Sequence, residues 1–231
     1  MRKQLFTLIL ILIFSSSNAF SQQKPFVFGF KVGPNFGWLK PDTKGYESTG
    51  LKSGLNWGFI ADFVLMDNYS VATGFDVVFL HGGLEMDHRM VIDGDTTAPG
   101  ILKRKYKLKY IQIPVTLKMR TNDINNYRFF GQIGLGSSFL IDAKADDEFS
   151  SGSLLVNEEK VDIYEDISFI RESLILGAGV EFSLGGSTNL IAALIYNNGF
   201  MDILKGKNTV EPTLNNKATS SFLSLEVGIV F

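Results

Sequence analysis

The segment that decides the fold class is Ser221-Phe222-Leu223-Ser224-Leu225-Glu226-Val227-Gly228-Ile229-Val230-Phe231. Every second residue from Leu223 to Phe231 is apolar, whereas the residues between them are mostly polar or small. Only Val230 departs from this alternation. A period of two is typical of a β-strand with one apolar and one polar face. The rest of the chain therefore has to supply the sheet that this strand completes.

The same alternation recurs in seven earlier segments. With the closing segment, the predicted strands are 26–38, 54–65, 69–80, 106–119, 128–141, 173–182, 190–199 and 219–231. Segment 26–38 alternates bulky aromatics with Gly, Lys and Asn. Such a run of aromatics would overfill the interior of a small barrel, whereas lipid sets no volume limit. We therefore expect an all-β, eight-stranded antiparallel transmembrane up-and-down β-barrel, with the apolar residues facing outward.

The lengths of the connections support a membrane barrel. Three connections are short, around Asp67, Asn122 and Gly185, and four are long: 39–53, 81–105, 142–168 and 200–217. Transmembrane barrels have short periplasmic turns, longer outer loops and an even number of strands. The predicted lipid faces carry no charged residue near their middle. A soluble lipocalin-like barrel, the alternative, explains neither observation. Pro114 cannot donate to a ladder, so we expect it at a bulge or an unpaired position.

The N-terminal residues have the features of a secretory signal peptide. Arg2 and Lys3 precede the apolar run Leu5 to Phe14, and small residues follow up to Ser21. We expect residues 1–21 to be removed, with cleavage after Ala19 as the second choice, and 22–231 to form the barrel domain. Removal of two basic residues leaves 20 basic and 24 acidic side chains, a net charge of −4. The chain has no Cys and no basic stripe, which argues against disulfides, a lipid anchor and a nucleic-acid partner.

Three strand motifs resemble those of the PorT-like outer-membrane β-barrel family. They are Tyr110-Ile111-Gln112-Ile113-Pro114-Val115-Thr116-Leu117-Lys118, Gly177-Ala178-Gly179-Val180-Glu181 and the Gly29, Lys31, Gly33, Asn35 series. One departure is Ile195, where that family often has Arg. The closing strand, which ends in Phe231, resembles the strand by which outer-membrane barrels are recognised for assembly. The resemblance implies location in the cell outer membrane and insertion by the barrel-assembly machinery, and some relatives are associated with protein secretion.

The predicted inward face carries six charged residues that form the candidate site. They are Lys31, Asp62, Asp76, Lys118, Glu181 and Glu226. The first and last strands must pair to close the barrel, so we expect Lys31 to meet Glu226, and we place Lys118 at the depth of Asp62 and Glu181. Small barrels fill their interiors with paired polar side chains, which predicts a structural role. A proton-active or cation-binding lumen is the alternative.

Two of the long connections contain candidate cation-binding or catalytic residues. Connection 142–168 is rich in Asp and Glu, which suits Ca²⁺ or a solvated surface, and its spacing matches no defined cation loop. Connection 81–105 holds His81 and His88 together with Glu85, Asp87, Asp93 and Asp95. A His beside a carboxylate could act as a general base. No catalytic, cofactor or metal residue is assigned.

The sequence predicts a non-enzymatic structural or protein-interaction role for this barrel. Its expected surroundings are outer-membrane lipid and a protein partner at the loops or periplasmic turns, with secretion or surface assembly as the candidate system. A narrow transporter of small solutes is the first alternative. An outer-membrane enzyme that uses the loop histidines is the second.

Overall fold

The computed structural model describes residues 26–93 and 96–231, so the predicted signal peptide 1–21 lies outside the described residues. Ten strands account for most of the described chain: β1 (Phe26–Pro41), β2 (Tyr46–Ser48), β3 (Lys52–Met66), β4 (Tyr69–Asp93), β5 (Thr96–Arg120), β6 (Tyr127–Ser151), β7 (Leu154–Asp162), β8 (Ile170–Gly185), β9 (Thr188–Gly199) and β10 (Ala218–Val230). A 3₁₀ turn spans Tyr164–Asp166. Among these residues no helix is long and apolar enough to cross a bilayer.

Eight of the strands close into an antiparallel barrel in the order β1-β3-β4-β5-β6-β8-β9-β10, and β10 pairs with β1. Register partners lead from Phe26 around the ring through Phe63, Val71, Leu117, Ile133, Leu176, Tyr196 and Leu223. Leu223 then pairs with Phe36, ten residues (36 − 26) beyond the start. This stagger tilts the strands, as closure of a barrel requires. The predicted fold class is confirmed.

The outer surface of the barrel is apolar and the inner surface is polar. Phe30, Val115 and Val227 are each more than half exposed, and they belong to a belt of exposed aromatic and aliphatic side chains that runs around the ring. Asp62, Lys118 and Ser224 point into the lumen and are buried. Because large apolar side chains face outward while charges are buried, the barrel matches a lipid solvent and not water.

Pro114 lies where the ladder between β4 and β5 is interrupted, as predicted. Pairing of these strands runs to Ala72 with Thr116 and resumes at Asp76 with Gln112. Gly74 lies opposite Pro114 and has a φ of 138°, which residues with a Cβ rarely adopt. The missing N–H of Pro114 and the unusual backbone of Gly74 therefore occur at the same point of the wall.

Connections 81–105 and 142–168, expected as long outer loops, are instead mostly strand. Strands β4, β5 and β6 each have 25 residues and continue beyond the apolar belt. Residues 81–93 alone add about 40 Å along the strand, at roughly 3.3 Å per residue. With β2 on β4 and β7 on β6, these extensions form a five-stranded sheet in the order β2-β4-β5-β6-β7, here called the cap sheet. It stands at the end of the long hairpins, which is the outer end of a membrane barrel.

A β-bulge at Ile141 explains why the sequence pattern concealed this continuation. Lys109 pairs with Asp142 but Tyr110 pairs with Leu140, so one residue of β6 is left without a partner. An extra residue moves all following side chains to the opposite face. Leu135 and Ile141 are exposed below the bulge, whereas odd-numbered residues above it are buried. Odd-numbered apolar residues of β6 thus face lipid in the barrel but face inward in the cap sheet.

The residues turned inward form an apolar cluster, the cap core, between the cap sheet and the segments 163–169 and 200–217. Its members with no exposed surface are Leu84, Ala143, Ala145, Phe149, Ile167, Ile203 and Ala218. A second cluster at the opposite, periplasmic end, here called the lower plug, contains Phe130, Ile191 and Val230 with Val27 and Ile60 packed against it. Val230, which broke the alternation of the closing strand, is therefore an inward-facing residue with a packing role.

We predict that Phe149→Ala destabilises the cap without unfolding the barrel. Phe149 has no exposed surface and belongs to the cap core, so its truncation should cost about 3–5 kcal/mol locally. Limited proteolysis of refolded protein should cleave β6 or β7 faster, while the folded barrel band on a gel persists.

The matched control is Leu155→Ala, because Leu155 lies on the opposite face of the cap sheet and is 68% exposed. Its cleavage rate should equal that of the unaltered protein. Equal cleavage of both variants would mean that the cap core does not hold the cap sheet in place.

Candidate functional site

The six predicted lumen residues lie in two ion-pair networks, joined to further polar residues that sequence reasoning missed. In the first network, Lys31 Nζ lies 3.0 Å from Asp76 Oδ2 and 3.1 Å from Glu226 Oε2. Lys31 and Glu226 come from β1 and β10, so the contact expected between the first and last strands is present. Asp76 was not expected as its second partner.

Amide and hydroxyl groups complete the first network. Glu226 Oε1 accepts hydrogen bonds from Asn56 Nδ2 at 2.7 Å and Ser224 Oγ at 3.1 Å. Asn35 Nδ2 donates to Asn56 Oδ1 at 3.2 Å. Room for these side chains comes from inward-facing glycines: a Cβ at Gly58 would collide with Asp76, and a Cβ at Gly33 would collide with the backbone of β10. The Gly-rich face of the strands is thus the space in which the charges meet.

The second network lies nearer the periplasmic end. Lys118 Nζ lies 2.6 Å from Glu181 Oε1 and 3.2 Å from Asp62 Oδ2, so the three residues placed at one depth do meet. Arg120 binds the same two carboxylates and donates to Ser70 Oγ at 2.7 Å. The Lys118 ammonium also lies 4.2 Å from the centre of the Phe130 ring, which connects the network to the lower plug.

A third polar cluster, around Arg171, lies closer to the cap. Arg171 is 1% exposed and donates to Ser220 Oγ at 2.7 Å, Asn197 Oδ1 at 2.7 Å and the Ser220 carbonyl at 2.9 Å. Asn197 in turn donates to Gln112 Oε1 at 3.1 Å. Gln112 is the register partner of Asp76. A chain of side-chain amides therefore leads from Arg171 toward the first network.

The charges of the lumen balance once the missed residues are counted. Four cationic groups (Lys31, Lys118, Arg120 and Arg171) face four carboxylates (Asp62, Asp76, Glu181 and Glu226). The first network contains one more carboxylate than cations. Arg171, which has no carboxylate within ion-pair distance among the described residues, supplies the balancing positive charge. Buried charges are tolerated when they are paired or compensated nearby. The sequence showed only two of the four cations.

Arg120 and Arg171 were missed because the predicted strands stopped too early. Strand 106–119 ended one residue before Arg120, and strand 173–182 began two residues after Arg171. Both arginines keep the inward parity of their strands, since Lys118 and Ser173 are the neighbouring inward residues. Extending the alternation by one or two residues at each end would have found them.

Between the first and second networks the lumen holds a cavity of about 60 Å³. Asp62 Oδ1 and Asp76 Oδ1 belong to residues that line it, and these two buried oxygens have no hydrogen-bond partner among residues 26–93 and 96–231. A cavity of this size accommodates a few water molecules, which would satisfy both oxygens. In the part of the chain described here, no group of three or more His, Asp or Glu side chains is arranged to hold a metal ion.

The acidic segment 142–168 lies largely in the cap sheet, where several of its carboxylates contact basic residues of β5. Asp147 binds Arg104 through two hydrogen bonds of 2.6 and 2.7 Å, and Asp146 forms an ion pair with Lys107. The hydrogen bond from Lys107 lowers the pKa of Asp146. Burial opposes the charge of Arg104, but its hydrogen bonds with Asp147 raise its pKa above the usual value. Cross-strand pairing with basic side chains accounts for Asp146 and Asp147 without a bound metal ion.

The two histidines do not share a site. His81 Nδ1 lies 2.7 Å from the Ser53 carbonyl, and His88 Nδ1 lies 3.0 Å from Thr209 Oγ1. Strand alternation places His88 on the face of the cap sheet opposite to Glu85 and Asp87. The side chain of Asp93 and the whole of Asp95 lie outside the described residues. Glu85 and Asp87 therefore do not pair with His88.

The sequence matches a family whose description agrees with the closed barrel and its apolar belt. Residues 18–205 match the family model described as "Outer membrane protein beta-barrel domain", and the chain belongs to this family. No curated protein is similar enough in sequence to count as a relative.

Solved structures with a similar fold include Neisserial surface protein A, with 11% identity and a TM-score of 0.46 over 90% of this chain and 96% of that chain. OprG from Pseudomonas aeruginosa has 13% identity and a TM-score of 0.44 over 89% and 95%. The outer membrane protease OmpT from Escherichia coli has 8% identity and a TM-score of 0.42 over 93% and 99%.

We predict that Lys31→Met destabilises the barrel by about 3–5 kcal/mol, because it leaves Asp76 and Glu226 buried without their cation. The midpoint of urea unfolding in lipid vesicles should fall, and the folded band should convert to the unfolded band at a lower temperature. Adding Asp76→Asn and Glu226→Gln to the variant should recover part of the loss.

Lys40→Met is the matched control, since Lys40 lies on the same strand but is exposed. It should unfold like the unaltered protein. A Lys31→Met variant of unchanged stability would show that the contact between β1 and β10 does not depend on this network.

Proposed function

We propose that this protein is a barrel anchor that displays the cap sheet at the outer surface of the membrane for contact with a protein partner. The observation that carries the proposal is the closed lumen beneath a packed, strand-built cap. The cap core fills the outer end, the lower plug narrows the periplasmic end, and the ion networks occupy the space between. A barrel filled in this way serves better as a rigid support than as a passage.

The narrow transporter is the second candidate, and the lumen cavity is the observation that bears on it. At about 60 Å³ the cavity holds a few waters but not a sugar or an amino acid. Passage of a solute would require the two networks and both apolar clusters to open together. The structural role of Lys31, Asp62, Asp76, Lys118, Glu181 and Glu226 is part of the proposal.

The outer face of the cap sheet has the features of a protein-contact surface. Ile101, Ser150 and Leu155 lie in one row across β5, β6 and β7, and the two apolar residues are 41% and 68% exposed. The adjacent row pairs Lys103 with Glu148. Exposed apolar side chains rimmed by charges of both signs are typical of surfaces that bind other proteins.

Resemblance of the Tyr110–Lys118 and Gly177–Glu181 motifs to PorT-like barrels favours protein secretion or surface assembly as the system in which the partner acts. Export through the predicted signal peptide 1–21 and insertion by the barrel-assembly machinery belong to the same proposal. Phe231 would serve as the assembly signal. Its N–H donates to the Phe28 carbonyl at 2.8 Å, and the two rings lie 5.6 Å apart.

We predict that the purified, refolded protein gives no stepwise current in planar lipid bilayers, because both ends of the lumen are occupied by apolar side chains. A known open barrel reconstituted in the same bilayers provides the positive control. Reproducible current steps that disappear in a variant with a bulkier lumen, such as Gly136→Phe, would favour the transporter instead.

We predict that a photo-reactive phenylalanine analogue at position 155 forms a discrete adduct with one protein in native cells. The same analogue at position 210 is the control, because Val210 is exposed in segment 200–217, away from the outer face of the cap sheet. The adduct formed from position 155 should vanish when Ile101→Glu is added. Absence of an adduct at 155, or equal adducts at both positions, would contradict the proposed contact surface.

A further inference from the structure

The concave side of the cap sheet contains a second, larger cavity, which lies outside the lumen. It has a volume of about 270 Å³ and lies between the sheet and segment 205–216. Its apolar floor comes from Met86, Leu102 and Leu204, and its aromatic walls from Tyr46, His88 and Tyr106. The proposed protein contact uses the opposite face of the sheet, so this cavity has no part in it.

Segment 205–216 is held over the sheet by specific hydrogen bonds, so the cavity is preformed. Asn216 Nδ2 donates to the carbonyls of Lys205 and Lys207 at 3.2 and 3.3 Å, and its Oδ1 accepts from Tyr46 Oη at 2.7 Å. Thr209 Oγ1 accepts from the Arg89 N–H at 3.1 Å. A preformed cavity binds a ligand without first having to order its own loop.

Several charged groups around the cavity lack an ion-pair partner among the described residues. Lys205, Lys207 and Asp166 line it, and none of the three forms a salt bridge within the described chain. Arg104 also lines it, but Nε and Nη2 of Arg104 are both used by Asp147. Two unpaired ammonium groups and one unpaired carboxylate leave the cavity with an excess of one positive charge.

The walls combine the groups that recognise a sugar ring. Aromatic side chains offer apolar faces to the C–H groups of a ring, while a carboxylate and ammonium groups bind hydroxyls, which both donate and accept hydrogen bonds. His88 adds a neutral imidazole, since burial and the nearby Arg104 charge lower its pKa. The volume is slightly below the range of about 300–1,000 Å³ found for drug-sized ligands, which suits a single substituted ring.

From this combination of size, aromatic walls and surplus positive charge, we propose that the cavity is a binding site for one anionic sugar residue. The ligand is a six-membered polyhydroxylated ring that carries a carboxylate or a phosphate. The anionic substituent lies between Lys205 and Lys207, and Asp166 accepts hydrogen bonds from ring hydroxyls. Either a uronic acid of a surface glycan or a phosphorylated sugar of a lipid headgroup supplies this chemistry.

The proposal is tested by calorimetric titration of the full, refolded protein in detergent micelles with three probes: glucuronate, glucose 6-phosphate and glucose. Glucuronate, glucose 6-phosphate or both should bind, and glucose should bind at least about tenfold more weakly, because it cannot form charge-assisted hydrogen bonds with the two lysines. Preference for glucuronate points to a glycan, and preference for glucose 6-phosphate points to a headgroup.

The variant Lys205→Gln with Lys207→Gln should weaken binding of the charged probe about tenfold or more. Both lysines are exposed, so the barrel and cap should fold, which the folded band on a gel verifies. Replacement of both residues by Arg should retain binding, and Lys217→Gln is the matched control because Lys217 is exposed but does not line the cavity. Unchanged affinity in the glutamine variant, equal affinity for glucose, or no heat with any probe would each overturn the proposal.

Discussion

The structure depends on the closure of eight strands around a lumen of fixed volume that buries eight charged groups. A ring of this size has no room for bulk water around each charge, so every charge needs a partner supplied by another strand. Lys31, Asp76 and Glu226 connect β1, β4 and β10, while Lys118, Asp62, Arg120 and Glu181 connect β5, β3 and β8. Inward-facing glycines leave the space for these long side chains. The buried charges therefore depend on the inward-facing glycines for space.

This arrangement underlies the proposed role of the barrel as a support. Because polar networks fill its middle and apolar clusters occupy both ends, the lumen offers space for a few waters only. In the proposed role, the surfaces that meet other molecules are those of the cap sheet. Its outer face carries exposed apolar residues between charged rows, and its concave face carries a preformed cavity with unpaired cationic groups. Both faces stand above the apolar belt, where a barrel of this family can meet molecules outside the cell.

A single extra residue decides which side chains of β6 face the cap core. At Ile141 the bulge in β6 reverses which face its side chains occupy, so the following alanines and Phe149 point toward the cap core. Without the reversal, Asp142, Asp146 and Glu148 would be buried and Ala143 and Ala145 exposed. In the observed register, Asp146 and Glu148 instead lie beside Lys105 and Lys103 of β5 on the outer face. Because of the bulge, the acidic segment 142–151 forms a strand with one apolar and one charged face.

The sequence by itself determined the class of fold, the eight barrel strands and the inward or outward direction of most of their residues, because alternation with a period of two is a local property. It also identified six of the eight charged lumen residues and the interruption at Pro114. Only the tertiary structure decided which charges meet, since those contacts depend on the stagger of the ring and join residues as distant as Lys31 and Glu226. Arg120, Arg171, the inward packing of Val230 and the whole cap were likewise decided there. Strand ends and a bulge break the local pattern, and only pairing with neighbouring strands restores it.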